Sequence, residues 1–436
     1  MKSVPAPPHF DVAVVGGGSA GVAAAVSAAQ CGARTLLVER SDILGGNVGN
    51  AFVHSICGLY RPVDEGEARY AHPGFPERLA EALRAAGAAG KAERAGKVYV
   101  LPIQPPGFAE LAASWCARTE GLEVRTRCAV VGAELVAVSN APQALSLRSQ
   151  PAGEARITAS ILVDTSGDAT LGALGGADVV AAGPDELQLP SLIFRLAGVD
   201  TSELSGFARL RLSHAIAGAV RSHALPDGCE SVLVRPAAAA DEVYVTLNVP
   251  RPKDVPYAPL DPEQLAALEQ RARTSAVRVV DFLCRTRPAF ARSRIVAWPR
   301  RIGVRETRRL AGLIALSRED VLEGRAHADE VAVSTWPIEL WQDHRRAHFE
   351  YPVRPCSIPL GTLVSRSHPR LGMAGRCLSA SREALGALRV IGTALATGEA
   401  LGIAAALAAD AGVALAAISA REVRARILEL AGRAQP

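Results

Sequence analysis

The chain has 436 residues, 49% apolar and 21% charged, with a formal net charge of +4. That length exceeds what one compact core organises, so two domains are expected. The small charge, with no basic patch interleaved with aromatics, argues against a nucleic-acid partner. Eight cysteines (31, 57, 116, 128, 229, 284, 356 and 377) without CxxC or metal-like spacing argue against a disulfide framework, a zinc site or an iron–sulfur cluster.

Phe10–Val15 is a short β-branched run that reads as a buried strand and ends at Gly16-Gly17-Gly18. An Ala/Val-rich helix opens at Ser19 and Ala20, continues through Gly21 and stops at Gly32; Thr35–Val38 is a second strand. The glycines have distinct tasks: a tight turn at Gly16, close backbone approach to a pyrophosphate at Gly18, and helix-on-strand packing at Gly21. Unpaired N–H groups at the helix start favour the negative charge of a pyrophosphate. Glu39 ends the second strand, placed to accept hydrogen bonds from an adenosine ribose. A dinucleotide is expected here; the alternative is a glycine turn in an ordinary βαβ unit. With the first strand within about ten residues of Met1, no signal peptide is expected, and a reducing cytoplasm suits the cysteines.

Pro76 to Gly121 reads as helical with a break at Leu101–Gly107. Leu122–Val138 and Arg156–Val163 read as strands around a polar loop at Asn140–Gly153. Val163–Asp168 again runs strand into polar glycine turn. From about Val180 to His348 prolines increase, every tryptophan except Trp115 is found, and Ser231–Val234 and Glu242–Val249 read as strands. This suggests a mixed α+β domain (181–349) inserted into an α/β dinucleotide domain formed by residues 1–180 and 350–436. Leu371–Arg376 resembles one more strand and turn, and Glu383 onward a long Ala-rich helix. Leu401–Ile418 is the most membrane-like stretch, but Asp410 interrupts it, and a buried helix explains it better than a membrane span.

Three glycine-marked strand ends, at 16–21, 164–168 and 374–376, are spread over the whole chain. That suits a long cofactor reached from several segments, such as FAD, better than a nicotinamide site completed in one contiguous domain. Together with LGGN at 44–47, LVDTSGDATLGALGGAD at 162–178, SLIFRLAGVD at 191–200, RRIGVRETRRLAG at 300–312 and LGMAGRCLSASREALGALRVIGTALATGEALGIAAALA at 371–408, the sequence resembles the FAD-dependent oxidoreductase family of the glutathione-reductase-like flavoprotein superfamily. The resemblance implies a discontinuous Rossmann FAD-binding domain. It also implies that Gly16, Gly18 and Gly21 hold the pyrophosphate, and that Glu39 and Arg40 hold the ribose and its surroundings. Gly45, Gly46 and Asn47 would form the loop under the flavin, and backbone at Val130–Val131 would meet the adenine. Ser166 and Gly167 would line the pyrophosphate, and Gly375 and Arg376 the ribityl chain. Arg389 and Val390 would begin a helix whose positive end faces the flavin.

The chain departs from that family's pattern at Trp341, at Arg382 and Leu385, and at Cys356, where histidines or a tyrosine are usual; its acid/base group and substrate class are therefore unassigned. No second GxGxxG unit and no CxxxxC beside Gly45–Gly46 are present. His54 after the flavin loop is a candidate general base, or else a packed loop histidine; Cys57 reads as a small buried residue. Arg300, Arg301, Arg305, Arg308 and Arg309, with Glu306, either clamp a carboxylate substrate or form an internal ion-pair network. Arg305 and Arg382 join His54 as catalytic candidates, with Arg195 and Tyr351 weaker ones, and no metal site is expected. The expected activity is hydride transfer between a small organic substrate and flavin N5, with direction, electron partner and self-association open. The alternatives are a flavin monooxygenase and a non-catalytic FAD-bound protein.

Overall fold

The computed structural model describes residues 6–62, 67–136, 141–204 and 206–432. Val138 and Asn140, where an expected strand ends and an expected loop begins, lie outside them. The first half runs β1 (His9–Val15), α1 (Ser19–Gln30), β2 (Thr35–Val38), α2 (Asn47–Ala51), β3 (Ser55–Ile56), α3 (Phe75–Ala85), β4 (Glu93–Ala95), β5 (Val98–Pro102), α4 (Pro105–Arg118), β6 (Leu122–Arg125), β7 (Cys128–Glu134), β8 (Gln143–Ser149), β9 (Gly153–Asp164) and α5 (Thr170–Leu174). The middle holds β10 (Val179–Ala181), β11 (Ser191–Ala197), α6 (Gly206–Arg221), β12 (Leu233–Pro236), β13 (Val243–Asn248), α7 (Pro262–Thr286), β14 (Arg294–Ala297) and β15 (Arg308–Leu310). Then follow α8 (Arg318–Glu323), β16 (Glu330–Ser334), β17 (Ile338–Asp343), β18 (Arg346–Glu350), β19 (Cys356–Pro359), β20 (Leu371–Met373), α9 (Arg382–Leu388), α10 (Ile391–Ala411) and α11 (Ala420–Ala431).

The main sheet runs β6-β2-β1-β9-β8-β7, with β20 also on β9. Its β6, β2, β1, β9 and β20 are parallel neighbours, and β8 and β7 add antiparallel pairs. This is a mixed α/β fold of Rossmann-like character, with ligand ground at the carboxyl ends of the parallel strands. The fully buried Val12, Val14, Leu36 and Leu37 explain why β1 and β2 read as near-continuous apolar runs. Helices α1 and α10 pack unusually close, because a Cβ at Gly398 or Gly402 would fall on the backbone of Ala20 or Ala24. Helix α10 is long and apolar enough to cross a membrane by length and composition, yet 89% of that stretch is buried within the fold.

A second layer, the sheet β12-β13-β11-β14, has its own core. The period of two divides its faces. Leu192, Phe194 and Leu196 of β11 and Val243, Val245 and Leu247 of β13 join the cluster that includes Ile216 of α6 and Val279 of α7. The alternate residues Ser191, Ile193, Thr246 and Asn248 face a cavity.

Four sequence expectations change. The polar loop expected at Asn140–Gly153 holds β8, which pairs with both β7 and β9. The stretch Pro76–Gly121 contains the hairpin β4–β5 between α3 and α4, where the β-branched Val98 and Val100 favour a strand. The strand expected from Leu122 splits into β6 and β7, with Arg127 at φ 51 between them. The helix expected from Glu383 is broken at Arg389–Val390, so α10 gains an amino terminus of its own.

Candidate active site

Two cavities meet where the main sheet faces the second layer. The first, about 260 Å³, runs along the carboxyl ends of β1, β2 and β9. Gly16, Gly18, Ser19, Ala20, Glu39, Arg40, Gly46, Asn47, Val130, Ser166, Gly167, Gly375, Arg376 and Arg389 all line it. Gly16 takes φ +105, and Thr165 Oγ1 donates to the carbonyls of Val15 (3.0 Å) and Gly16 (2.8 Å), tying the end of β9 to the glycine turn. Buried Asp164 shapes the neighbouring turn by accepting from Ser166 N, Ser166 Oγ and Gly172 N. Burial, the largest influence on it, raises its carboxyl above the ordinary value.

Other expected residues serve the walls. Gly21 packs α1 against Gly16 and Thr165, leaving no room for a Cβ. Gly45 donates its N–H to Gly17 O and backs onto Phe108. Neither lines this first cavity. The Val130–Val131 expectation shifts to Cys128–Val130, because a register irregularity between Val130 and Gly132 interrupts the alternation of β7. Val390 is the N-cap of α10 and lines the second cavity instead of the first. Glu39 does reach the first cavity, while its two oxygens accept from Gly17 N and Ser41 N, each at 2.7 Å. Each oxygen retains a second lone pair for a ligand hydroxyl.

The cationic run separates. Arg309 and Glu306 form a buried ion pair (2.8 Å), Arg300 binds Asp42 (2.7 Å), and Arg308 donates to Asp168 O, so these three are structural. Arg301 differs: it lines the first cavity, and its Nε is buried with no partner among the described residues. Burial, followed by the charges of Arg40 and Arg376, weakens its hold on the proton. In sequence Arg301 is indistinguishable from its neighbours. Asp168, in contrast, is occupied by Arg376 (3.0 Å), Arg40 (3.6 Å) and Thr307 Oγ1 (3.0 Å).

The second cavity, about 490 Å³, lies under the second sheet and shares Asn47, Arg376, Arg389 and Ile391 with the first. His54 lines it, stacked on Tyr244 at 4.7 Å. Its Nδ1 lies 3.1 Å from Phe52 O. A carbonyl only accepts, so Nδ1 carries the proton and Nε2 keeps the lone pair. Burial, helped by Arg235, lowers this imidazole to about 4, so the ring is neutral at physiological pH. Cys57, in the same wall, is pushed up to about 12, mainly by burial, and stays a thiol.

Arg305 lines the cavity but is held: it donates to Leu189 O and Asn248 Oδ1 (2.7 Å) and lies 4.8 Å over the Trp341 ring. Burial and Arg389 lower it to about 9. Trp336 and Trp341 both donate their indole N–H to Glu339, at 2.9 and 2.6 Å. Arg382, expected at the site, is not there. It lines neither cavity, donating instead to Glu186 O and Glu383, because α9 turns it away from the space that Arg376 and Arg389 enter. Arg195 also lines neither, pairing with Glu242; Tyr351 does line the second. Among the described residues no cluster of potential ligands could hold a metal.

A family model described as FAD dependent oxidoreductase matches residues 11–427. The chain belongs to that family. FAD is therefore its cofactor, and the first cavity fits it: glycines 18 and 46 both line it and approach so closely that a Cβ at 46 would strike Gly18 Cα, and Arg301, whose Nε has no partner among the described residues, offers a cation to a diphosphate. A stretch of 45 residues is 57% identical to the mitochondrial 5-taurinomethyluridine-[tRNA] synthase subunit MTO1 of Mus musculus, covering 10% of this chain and 7% of that protein. Among solved structures, a geranylgeranyl bacteriochlorophyll reductase-like protein from Thermoplasma acidophilum overlaps at TM-score 0.48 and 13% identity, covering 98% of this chain and 93% of its own. The p-nitrophenol 4-monooxygenase PnpA from Pseudomonas putida DLL-E4 overlaps at 0.47 and 12%, covering 98% and 91%. Overlaps this loose speak to neither the reaction nor the substrate of this chain.

Proposed function

We propose that this FAD-dependent oxidoreductase transfers a hydride between flavin N5 and a small organic molecule in the second cavity. The continuity of the two cavities through Asn47, Arg376, Arg389 and Ile391 supports this reading. When bound, FAD supplies a two-electron acceptor or donor. The chain's own residues do the rest. The start of α1 and Arg301 neutralise the pyrophosphate, and Glu39 accepts from ribose hydroxyls. The start of α10 presents its positive end between the cavities. His54 Nε2 is available to accept a substrate proton, and burial makes it a weak base that is never charged near neutrality. The second sheet and hairpin β17–β18 form a cap that keeps water away from the reacting atoms. In domain terms, 181–349 is the inserted substrate domain, with 1–180 and 350–436 forming the FAD-binding domain. The free cysteines suit the cytoplasm.

Anaerobic mixing of FAD-loaded protein with a panel of small acids, alcohols and amines tests the reaction class. Loss of visible flavin absorbance with at least one compound is expected. If none bleaches the flavin, yet NAD(P)H does so and oxygen atoms then enter a product, the reaction is monooxygenation instead.

A further inference from the structure

The second cavity carries an imbalance of charge. Arg235, Arg305 and Arg389 all reach its wall, and none has a carboxylate within 4 Å among the described residues. Glu339 is the carboxylate in this wall; it accepts the indole N–H groups of Trp336 and Trp341, and its charge favours the cationic form of both Arg305 and Arg389. Arg305 is bound only by neutral oxygens, those of Leu189 and Asn248. Arg389 likewise meets Gln188 Oε1 and Glu339 O, and its Nε is buried without a partner. Withdrawing cations from water with too few anions is costly. Among the described residues of this wall, one carboxylate stands against three guanidinium groups without an ion-pair contact, an excess of positive charge that suits an anionic ligand.

Arg235 is the one poised to receive it. Its guanidinium forms no hydrogen bond or ion pair with a described residue, whereas those of the other two are held in place. Its direction follows from strand alternation: on β12, Val234 enters the core of the second layer while Leu233 and Arg235 face the cavity. It pairs across the sheet with Tyr244, on which His54 stacks, so the free guanidinium lies beside the candidate base. The far side of the cavity is apolar, with Val98, Val100 and Trp336 in its wall and half-exposed Phe349 and Tyr351 at its rim.

We propose that the second cavity takes a small carboxylate with an apolar body, its carboxylate gripped by Arg235 and its charge balanced by Arg305 and Arg389. The planar guanidinium fork matches a carboxylate in bidentate fashion, and the apolar wall receives the hydrocarbon. This rests on the reading of the second cavity as the substrate side.

The experiment titrates FAD-loaded protein with 3-phenylpropionate and octanoate, with their amides and with 3-phenylpropylamine, reading tryptophan fluorescence and the visible flavin spectrum. Both carboxylates should bind at least about tenfold more tightly than their amides, and the amine should not bind. Arg235→Gln should cost the carboxylates at least about tenfold while leaving the amides unchanged, with Arg235→Lys intermediate. Equal affinity for acid and amide, no binding of either acid, or an Arg235→Gln variant that binds acids as tightly as wild type would overturn the proposal. Flavin spectra of both variants confirm folding and cofactor retention. A carboxylate that quenches tryptophan without perturbing the flavin would instead overturn the assignment of the second cavity as the substrate side.

Discussion

Gly46 offers the sharpest test of the cofactor cradle. It sits at φ 58, ψ −124 before α2, a region that L-residues rarely enter. A Cβ added there would lie 2.8 Å from Gly18 Cα, where ordinary contact starts at 3.4 Å. The Gly16–Gly18 turn would therefore have to retreat by about 0.6 Å, the difference between those distances. The backbone conformation alone costs about 1–3 kcal/mol. Gly412 is the control: it caps α10 at φ 66, ψ 22, with nothing within 4 Å of an added Cβ. Gly412→Ala should cost about 1 kcal/mol and leave FAD binding intact. Gly46→Ala should lose more stability and also weaken FAD by at least about tenfold, since the amides facing the pyrophosphate are displaced. Calorimetric titration of apoprotein with FAD, beside thermal midpoints, reads both effects. If Gly46→Ala binds FAD like wild type, the cradle is misplaced.

Arg301→Gln should weaken FAD by about 10- to 100-fold, as expected for a charge-assisted contact, without lowering the midpoint of the apoprotein; a destabilised apoprotein would mean that Arg301 is structural. Histidine-selective NMR should place the His54 transition near pH 4, and a midpoint near 6.5 would refute its burial. Glu399, almost fully buried on α10, accepts Phe75 N at 2.8 Å, and burial raises it to about 7 against an ordinary 4.5. The folded protein thus binds this proton more tightly than the unfolded chain, so the stability it confers is present below pH 4.5 and lost as pH rises through about 7. The midpoint of Glu399→Gln relative to wild type should rise between pH 5 and 8; a constant difference would exclude an elevated Glu399.

The glycine turn was legible because backbone demands are local. Gly16 at φ +105 and Gly21 against Gly16 O admit no other residue, and a sequence shows such demands directly. Family membership and the cofactor followed from the same stretches. Side-chain direction was less accessible. Arg301 and Arg309 lie eight residues apart in one basic run, yet one faces the first cavity and the other a buried ion pair with Glu306. Arg382 lies between two cavity arginines in sequence and points elsewhere because a short helix intervenes. Arg235 depends on register: Leu233 and Arg235 alternate with buried Val232 and Val234, a signal present in the sequence, but which face meets the cavity is decided by the packing of α6 and α7 on the other. His54 stands out in the sequence because it closely follows Gly45-Gly46-Asn47, while its neutrality depends on enclosure by Tyr244 and on Arg235, both far away in the chain.

The first cavity draws on residues 15–48, 128–130, 165–170, 301 and 375–394. During synthesis the glycine turn emerges early, but its other wall and β20 appear only after most of the chain has left the ribosome. A chain cut off at residue 370 would carry the recognisable fingerprint and still lack Gly375, Arg376 and the start of α10. It should therefore fail to retain FAD, a result that absorbance after gel filtration would report. Because a ligand stabilises only the state that binds it, the cofactor's protection against proteolysis would reach finished chains and pass over interrupted ones.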